Sequence, residues 1–169
     1  MTTLSAEALD AIVFDFDGVL TDNRVVVFQD GREAVFCNRG DGLAFDYLRR
    51  VEMPAYILSR ETNPVVAARA EKLGVPVYAG VKDKAEGLER LCAERGHAPA
   101  RILYVANDVI DLPVMRRVGF AAAVADAHPA VREAASMVLE TRGGAGVARE
   151  IVESVVAFAA PFDAEVLRR

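Results

Sequence analysis

Cysteine, histidine and long apolar runs are all scarce in this chain, and each scarcity removes a class of protein. The two cysteines, Cys37 and Cys92, fall in different elements without metal-ligand spacing. They read as small buried hydrophobes, and a reducing cytoplasm is the default setting. His97 precedes a proline-containing loop and His128 opens a helix with Pro129, so neither is assigned a catalytic role. The net charge is −5 with no basic run, which points away from nucleic acid and from an anionic membrane surface. Acidic substrates would need local cations. No segment approaches about 18 uninterrupted apolar residues. The start, Met-Thr-Thr-Leu-Ser-Ala-Glu, carries neither a basic nor a long apolar stretch, so a soluble, unexported protein is expected. There is no repeat and no low-complexity segment.

What is present is ample core material: 169 residues, 53% of them hydrophobic, which suits one domain over residues 1–169. Ile12 to Phe14 read as a strand covered on both faces. Val25 to Phe28 and Glu33 to Phe36, around Gln29-Asp30-Gly31, read as a hairpin over residues 24–36. Leu43, Ala44, Tyr47, Leu48 and Val51 have the spacing of an amphipathic helix. Strands are expected at 54–59, 75–78, 101–105, 119–124 and 137–139. Helices alternate with them: one from Asn63-Pro64 to Leu73, one from a cap at Asp83 to about Arg95, then 112–118, 129–134 and a last one over 146–158. Such alternation implies right-handed crossovers, hence an α/β fold: a three-layer, Rossmann-like, mainly parallel sheet with a small hairpin flap.

Four places lie at or just past the carboxyl ends of expected parallel strands, where open sheets of this kind bind ligands. They are Asp15 with Asp17, Ser59, Lys84, and the group Asn107, Asp108 and Asp111. Two carboxylates at the end of a buried strand repel each other and resist burial, and a hard cation such as Mg²⁺ would offset both effects. Lys84 sits just inside a helix N-terminus, against the macrodipole. A residue placed against its local preference is a candidate for function. Together these groups make a coherent phosphoryl-transfer site. Asp15 is the candidate nucleophile, giving an aspartyl-phosphate, and Asp17 the acid and base. Lys84 and Ser59 would steady the phosphoryl oxygens. Asp15, Asp17, Asn107, Asp108 and Asp111 are the candidate metal ligands.

The run from Asp15 to Asp22, Asp-Phe-Asp-Gly-Val-Leu-Thr-Asp, followed at these separations by Ser59, Lys84 and Asp108, resembles the first and later motifs of the haloacid dehalogenase-like phosphohydrolases. The resemblance covers about residues 11–156 and implies a fold without a cap domain. Phe36 to Gly42, Ala123 to Pro129 and Gly143 to Glu150 are similar to stretches of the 3-deoxy-manno-octulosonate 8-phosphate phosphatases and their nonulosonate relatives. That branch implies Mg²⁺, a homotetramer, and active sites partly closed by a neighbouring subunit. Where the octulosonate phosphatases carry Thr-Gly-Arg, this chain has Ser59-Arg60-Glu61. With Lys72, Glu61 resembles the branch acting on nonulosonate 9-phosphates, so deaminoneuraminate (KDN) 9-phosphate is expected ahead of octulosonate (KDO) 8-phosphate. Arg39, Arg60, Glu61 and Lys72 are the candidate substrate contacts. Ala106 and Asn107 depart from the usual Gly-Asp pair, and Ala145 stands where many relatives are cationic. The competing expectation is a catalytically silent oligomerisation domain, similar to the phosphatase-like portion associated with some acylneuraminate cytidylyltransferases.

Overall fold

The computed structural model describes residues 3–168. The chain enters through a two-residue strand, β1 (Leu4–Ser5), and crosses the core as β2 (Ala11–Phe14), every residue of which is buried. An irregular turn over Phe16–Leu20 leads into a hairpin, β3 (Thr21–Val27) and β4 (Glu33–Cys37). Helix and strand then alternate: α1 (Arg39–Arg50), β5 (Ala55–Leu58), α2 (Pro64–Leu73), β6 (Val77–Tyr78), α3 (Lys84–Arg95) and β7 (Ile102–Ala106). They continue as α4 (Leu112–Met115), β8 (Phe120–Ala123), α5 (Pro129–Ala134), β9 (Met137–Val138), α6 (Val147–Glu150) and β10 (Val156–Ala157).

Six strands form one parallel sheet in the order β6-β5-β2-β7-β8-β9. Val13 of β2 stands between Tyr56 of β5 and Tyr104 of β7. The chain therefore leaves β2 in one direction and returns to its other side, so the order reverses at β2, where a ligand crevice opens beyond the strand ends. Helix α1 packs with α2 and α6, and α4 packs with α3 and α5, which gives the two outer layers. The parallel α/β architecture is as expected. β2 and β7 are buried along their whole length, as a sheet covered on both faces requires.

Local chemistry sets most boundaries. Asn63 accepts a hydrogen bond from the Val65 N–H, Pro64 fills the first turn of α2, and Gly74 ends the helix in a left-handed conformation at φ 64°. Asp83 caps α3 by accepting from Ala85 N and Glu86 N. The hairpin starts earlier than expected, at Thr21.

The expected last helix over 146–158 ends early. After α6 it continues as a wider helical turn over Ile151–Val155, and Val156–Ala157 then pair in parallel with Leu4–Ser5. The β-branched Val155 and Val156 favour an extended chain, and Tyr47 on α1 offers a dock. Phe158 and Phe162 both meet its ring edge-on, with ring centres 5.2 Å apart. Among the described residues no helix is long and apolar enough to cross a membrane.

Asp41, in the first turn of α1, is buried and accepts a hydrogen bond from Ala148 N at 2.9 Å, which ties α1 to α6. Among the described residues its other oxygen has no hydrogen-bond partner. Burial pushes its pKa from 3.8 up to about 6. The folded chain therefore holds this proton more tightly than the unfolded one, so the stabilisation is complete below 3.8 and is lost as pH rises to about 6. Asp41→Asn keeps an acceptor for Ala148 and cannot titrate. Its melting temperature, measured from pH 3.5 to pH 7.5, is expected to gain on the parent chain through this window and to run parallel above it.

Candidate active site

Lys84 is the first residue of α3, and its ammonium is buried between two carboxylates: Nζ lies 2.7 Å from Asp15 Oδ1 and 2.7 Å from Asp111 Oδ1. Burial alone would lower the lysine pKa, but Asp15 and Asp111 outweigh it and raise it. Asp15, fully buried, is pushed up to about 7, first by burial and then by the Asp111 charge, with Lys84 opposing. Its Oδ1 also accepts from Phe16 N at 2.7 Å, so that oxygen is anchored and Oδ2 is the one left to react. Asp111 is enclosed: Oδ1 accepts from Lys84 and from the Tyr104 hydroxyl at 2.7 Å, and Oδ2 accepts from Asn107 N and Asp108 N.

Asp17 stands where β2 has given way to the irregular turn and is partly exposed. Burial raises its pKa, the Glu61 charge adds to this and Lys84 opposes it. Close contacts hold the turn. Gly18 has φ 77°, and a Cβ there would lie 1.8 Å from Asn107 Nδ2, so the nitrogen end of the Asn107 amide packs against the glycine. Behind it, a Cβ on Gly143 would lie 2.1 Å from the Gly18 carbonyl oxygen, and Gly144 N donates to Val19 O. The glycine-rich stretch before α6 therefore braces the turn backbone against backbone.

A cavity of about 320 Å³ opens above this floor. Asp15, Asp17, Ser59, Lys84, Asn107 and Asp108 all line it, together with Arg60 and Glu61, so these expected residues do converge. Ser59 Oγ accepts from Glu61 N at 3.0 Å, which leaves its hydroxyl proton available. Glu61 Oε1 accepts from Thr62 N and Asn63 N, capping the approach to α2. Asp108 Oδ1 accepts from Val109 N.

Three expected residues are placed elsewhere. Both oxygens of Asp111 are spent on protein donors beneath the cavity, so its geometry is that of an anchor for Lys84 rather than a metal ligand. Arg39 and Lys72 line a different cavity of about 470 Å³, beside Cys37 and Arg69. Sequence reasoning missed Tyr104, Asn23 and Ile110. Tyr104 lies inside an apolar strand and gives no polar signal. Asn23, in β3, and Ile110, in the short helical turn after β7, carry no charge, and only the folded chain brings them to the cavity.

The donor set can be tested against a cation. Among the described residues there is no group of three or more His, Cys, Asp or Glu side chains that could hold a metal ion by themselves. The cavity instead gathers carboxylate oxygens of Asp15, Asp17 and Asp108 and the amide of Asn107. Oxygen donors few in number suit a hard cation that keeps several waters and takes further ligands from a phosphate, as Mg²⁺ does. Soft or nitrogen-seeking metals find no ligands there.

A parallel sheet with an aspartate pair at the central strand end and a buried lysine beside it defines a hydrolase class, and the family comparison agrees. The model for haloacid dehalogenase-like hydrolases matches residues 52–151, and the chain belongs to that family. The 3-deoxy-D-manno-octulosonate 8-phosphate phosphatase KdsC of Yersinia pestis is 32% identical over 146 residues, covering 86% of this chain and 78% of the relative. Among solved structures, a HAD-family hydrolase fold from Streptomyces avermitilis superposes with TM-score 0.88 at 50% identity, covering 91% of this chain and 88% of its own. The octulosonate phosphatase of Moraxella catarrhalis, solved with magnesium, phosphate and KDO, gives TM-score 0.82 at 26% identity over 86% and 84% of the two chains. With such relatives the chain is a phosphatase.

Removing the Asp111 charge leaves Lys84 with one anion instead of two. Asp111→Asn is expected to lower kcat for a phosphate monoester by about 10- to 100-fold, the usual effect of losing a residue that orients a catalytic group. Steady-state kinetics with melting curves on both proteins checks this, and an unchanged kcat in a folded variant would refute the anchoring role.

Proposed function

We propose that this chain is a Mg²⁺-dependent phosphomonoesterase acting on a 3-deoxy-2-ulosonate sugar acid phosphate through an aspartyl-phosphate. The carrying observation is the floor of the cavity: a buried lysine holding one oxygen of Asp15 while the other stays free, with Asp17 at the rim of the same cavity. In the first step Asp15 Oδ2 bonds to phosphorus as the ester oxygen–phosphorus bond breaks, and Asp17 gives its proton to the departing alkoxide. In the second, Asp17 takes a proton from water as that water attacks phosphorus, releasing phosphate and freeing Asp15. The raised pKa of Asp17 suits it to carry the proton at the start. Lys84 and the Ser59 hydroxyl steady charge on the phosphoryl oxygens. Held by Asp15, Asp17, Asn107 and Asp108, the cation would keep Asp15 ionised and neutralise phosphate charge.

Two features support the choice of substrate and assembly. Glu61 keeps Oε2 free at the mouth while Oε1 caps α2. A carboxylate there accepts from hydroxyls, and deaminoneuraminate 9-phosphate, with one carbon and one hydroxyl more than octulosonate 8-phosphate, offers it one more to hold. The hairpin exposes Val27 and Phe36 to more than half of their full extent, and such apolar surface favours burial against further copies in a homotetramer. Arg39 and Lys72 lie outside the catalytic cavity of their own chain, in the cavity beside Cys37. The silent-domain reading gives way, because its relatives are phosphatases and the Asp15, Lys84 and Asp111 array is intact.

A panel of ulosonate 8- and 9-phosphates with Mg²⁺ is the deciding assay. Turnover of the 9-phosphate is expected to lead, and clear preference for the 8-phosphate would overturn the Glu61 argument alone. Asp15→Asn is expected to reduce kcat by at least about 10³-fold, the scale on which loss of a nucleophile is felt. EDTA is expected to abolish turnover and added Mg²⁺ to restore it; activity that survives exhaustive chelation would exclude the cation.

A further inference from the structure

We propose that Asn23 is a specificity-determining residue whose side-chain amide hydrogen-bonds a hydroxyl on the substrate's sugar chain; this rests on the phosphatase reading above. Asn23 lines the cavity from the stem of the hairpin, together with Asp108 and Ile110 from the turn after β7. Its backbone is left-handed, with φ 63°. Glycine takes that conformation without strain, and asparagine is among the few other residues that tolerate it. The conformation belongs to a break in the hairpin: pairing slips between Thr21 and Val25, and Asn23 N donates to Thr21 Oγ1 at 3.3 Å. A bulge of this kind re-aims a side chain and is over-represented beside active sites.

Several other polar groups around the cavity are already engaged. The Asn107 amide is packed on Gly18, and Glu61 Oε1 caps two backbone N–H groups. Lys84 and Asp15 hold each other on the floor. The Asn23 side chain has no hydrogen-bond partner among the described residues. It therefore brings to the mouth a neutral group able both to donate and to accept, the match for an alcohol rather than for a phosphate or a carboxylate. Ile110, which lines the same cavity and is 39% exposed, supplies apolar surface for the carbon chain.

The test is Asn23→Gly, which keeps the left-handed backbone accessible and deletes only the amide. Two substrates are compared: the preferred ulosonate phosphate and p-nitrophenyl phosphate, whose leaving group has no hydroxyl chain. For the sugar phosphate, kcat/KM is expected to fall about tenfold, the scale of one lost hydrogen bond. For p-nitrophenyl phosphate it should stay within about twofold of the parent, a check on folding as well as on chemistry. Equal loss on both esters would make Asn23 a structural residue, and no loss on either would make it idle; each overturns the proposal. A parent chain that hydrolyses neither ester sinks the phosphatase reading and this inference with it. An active parent matched by its variant sinks this inference alone.

Discussion

One buried ammonium organises the molecule. Lys84 joins the N-terminus of α3 to the end of β2 through Asp15 and to the loop after β7 through Asp111, with each separation 2.7 Å. Two carboxylates and one lysine this deep are tolerable only together. Removing either sign would strand a charge away from water, an outcome that costs about 3–5 kcal/mol in proteins generally. The helix pays a further small penalty for beginning on a cation. A constraint of this kind contributes little net stability, yet it forces three separate segments into one arrangement, and the position of Asp15 is decided by it.

The second constraint is the space left by glycine. Gly18 lets the Asn107 amide lie against the catalytic turn, and Gly143 brings a distant stretch of chain onto the Gly18 carbonyl. Asp126 steadies that stretch by accepting from Gly143 N at 2.9 Å, and Asp41 holds the helix that follows it. The turn carrying Asp17 is irregular but braced at Gly18 by Asn107 and by the Gly143–Gly144 backbone, contacts that leave no room for a larger residue at those glycines. Preorganisation here comes from close packing of backbone, with few side chains involved.

Much of this was legible in the residues themselves. The apolar strand ending in Asp-Phe-Asp-Gly, the Asn63-Pro64 start of α2 and the regular alternation of periodicities sufficed for a parallel α/β sheet with the aspartates at the switch point. The convergence of Ser59, Lys84 and Asn107 followed from strand ends alone. What stayed hidden depended on tertiary contact. Ile151, Val152 and Val155 keep helical spacing and are helical, but the switch to strand at Val156–Ala157 was hidden because its partner, Leu4–Ser5, lies at the other end of the sequence. Asp111 was read as a ligand because it is an acid beside Asn107 and Asp108; only the enclosing hydrogen bonds of Lys84 and Tyr104 reveal it as an anchor. Arg39 and Lys72 sit close to the right elements in sequence, but their helices turn them toward a separate cavity.

The pairing of β1 with β10 carries a kinetic consequence. Leu4 meets Val156, so these two short strands close a loop that contains almost the whole fold. Joining such remote segments recovers chain entropy only after everything between them has been arranged, which places this clasp among the last contacts to form. With two residues on each side it is cheap to open, and its amides should exchange with solvent hydrogen sooner than those of β2 or β7. The molecule thus has a seam at its ends and its greatest rigidity at the centre of the sheet, beneath the reacting carboxylate.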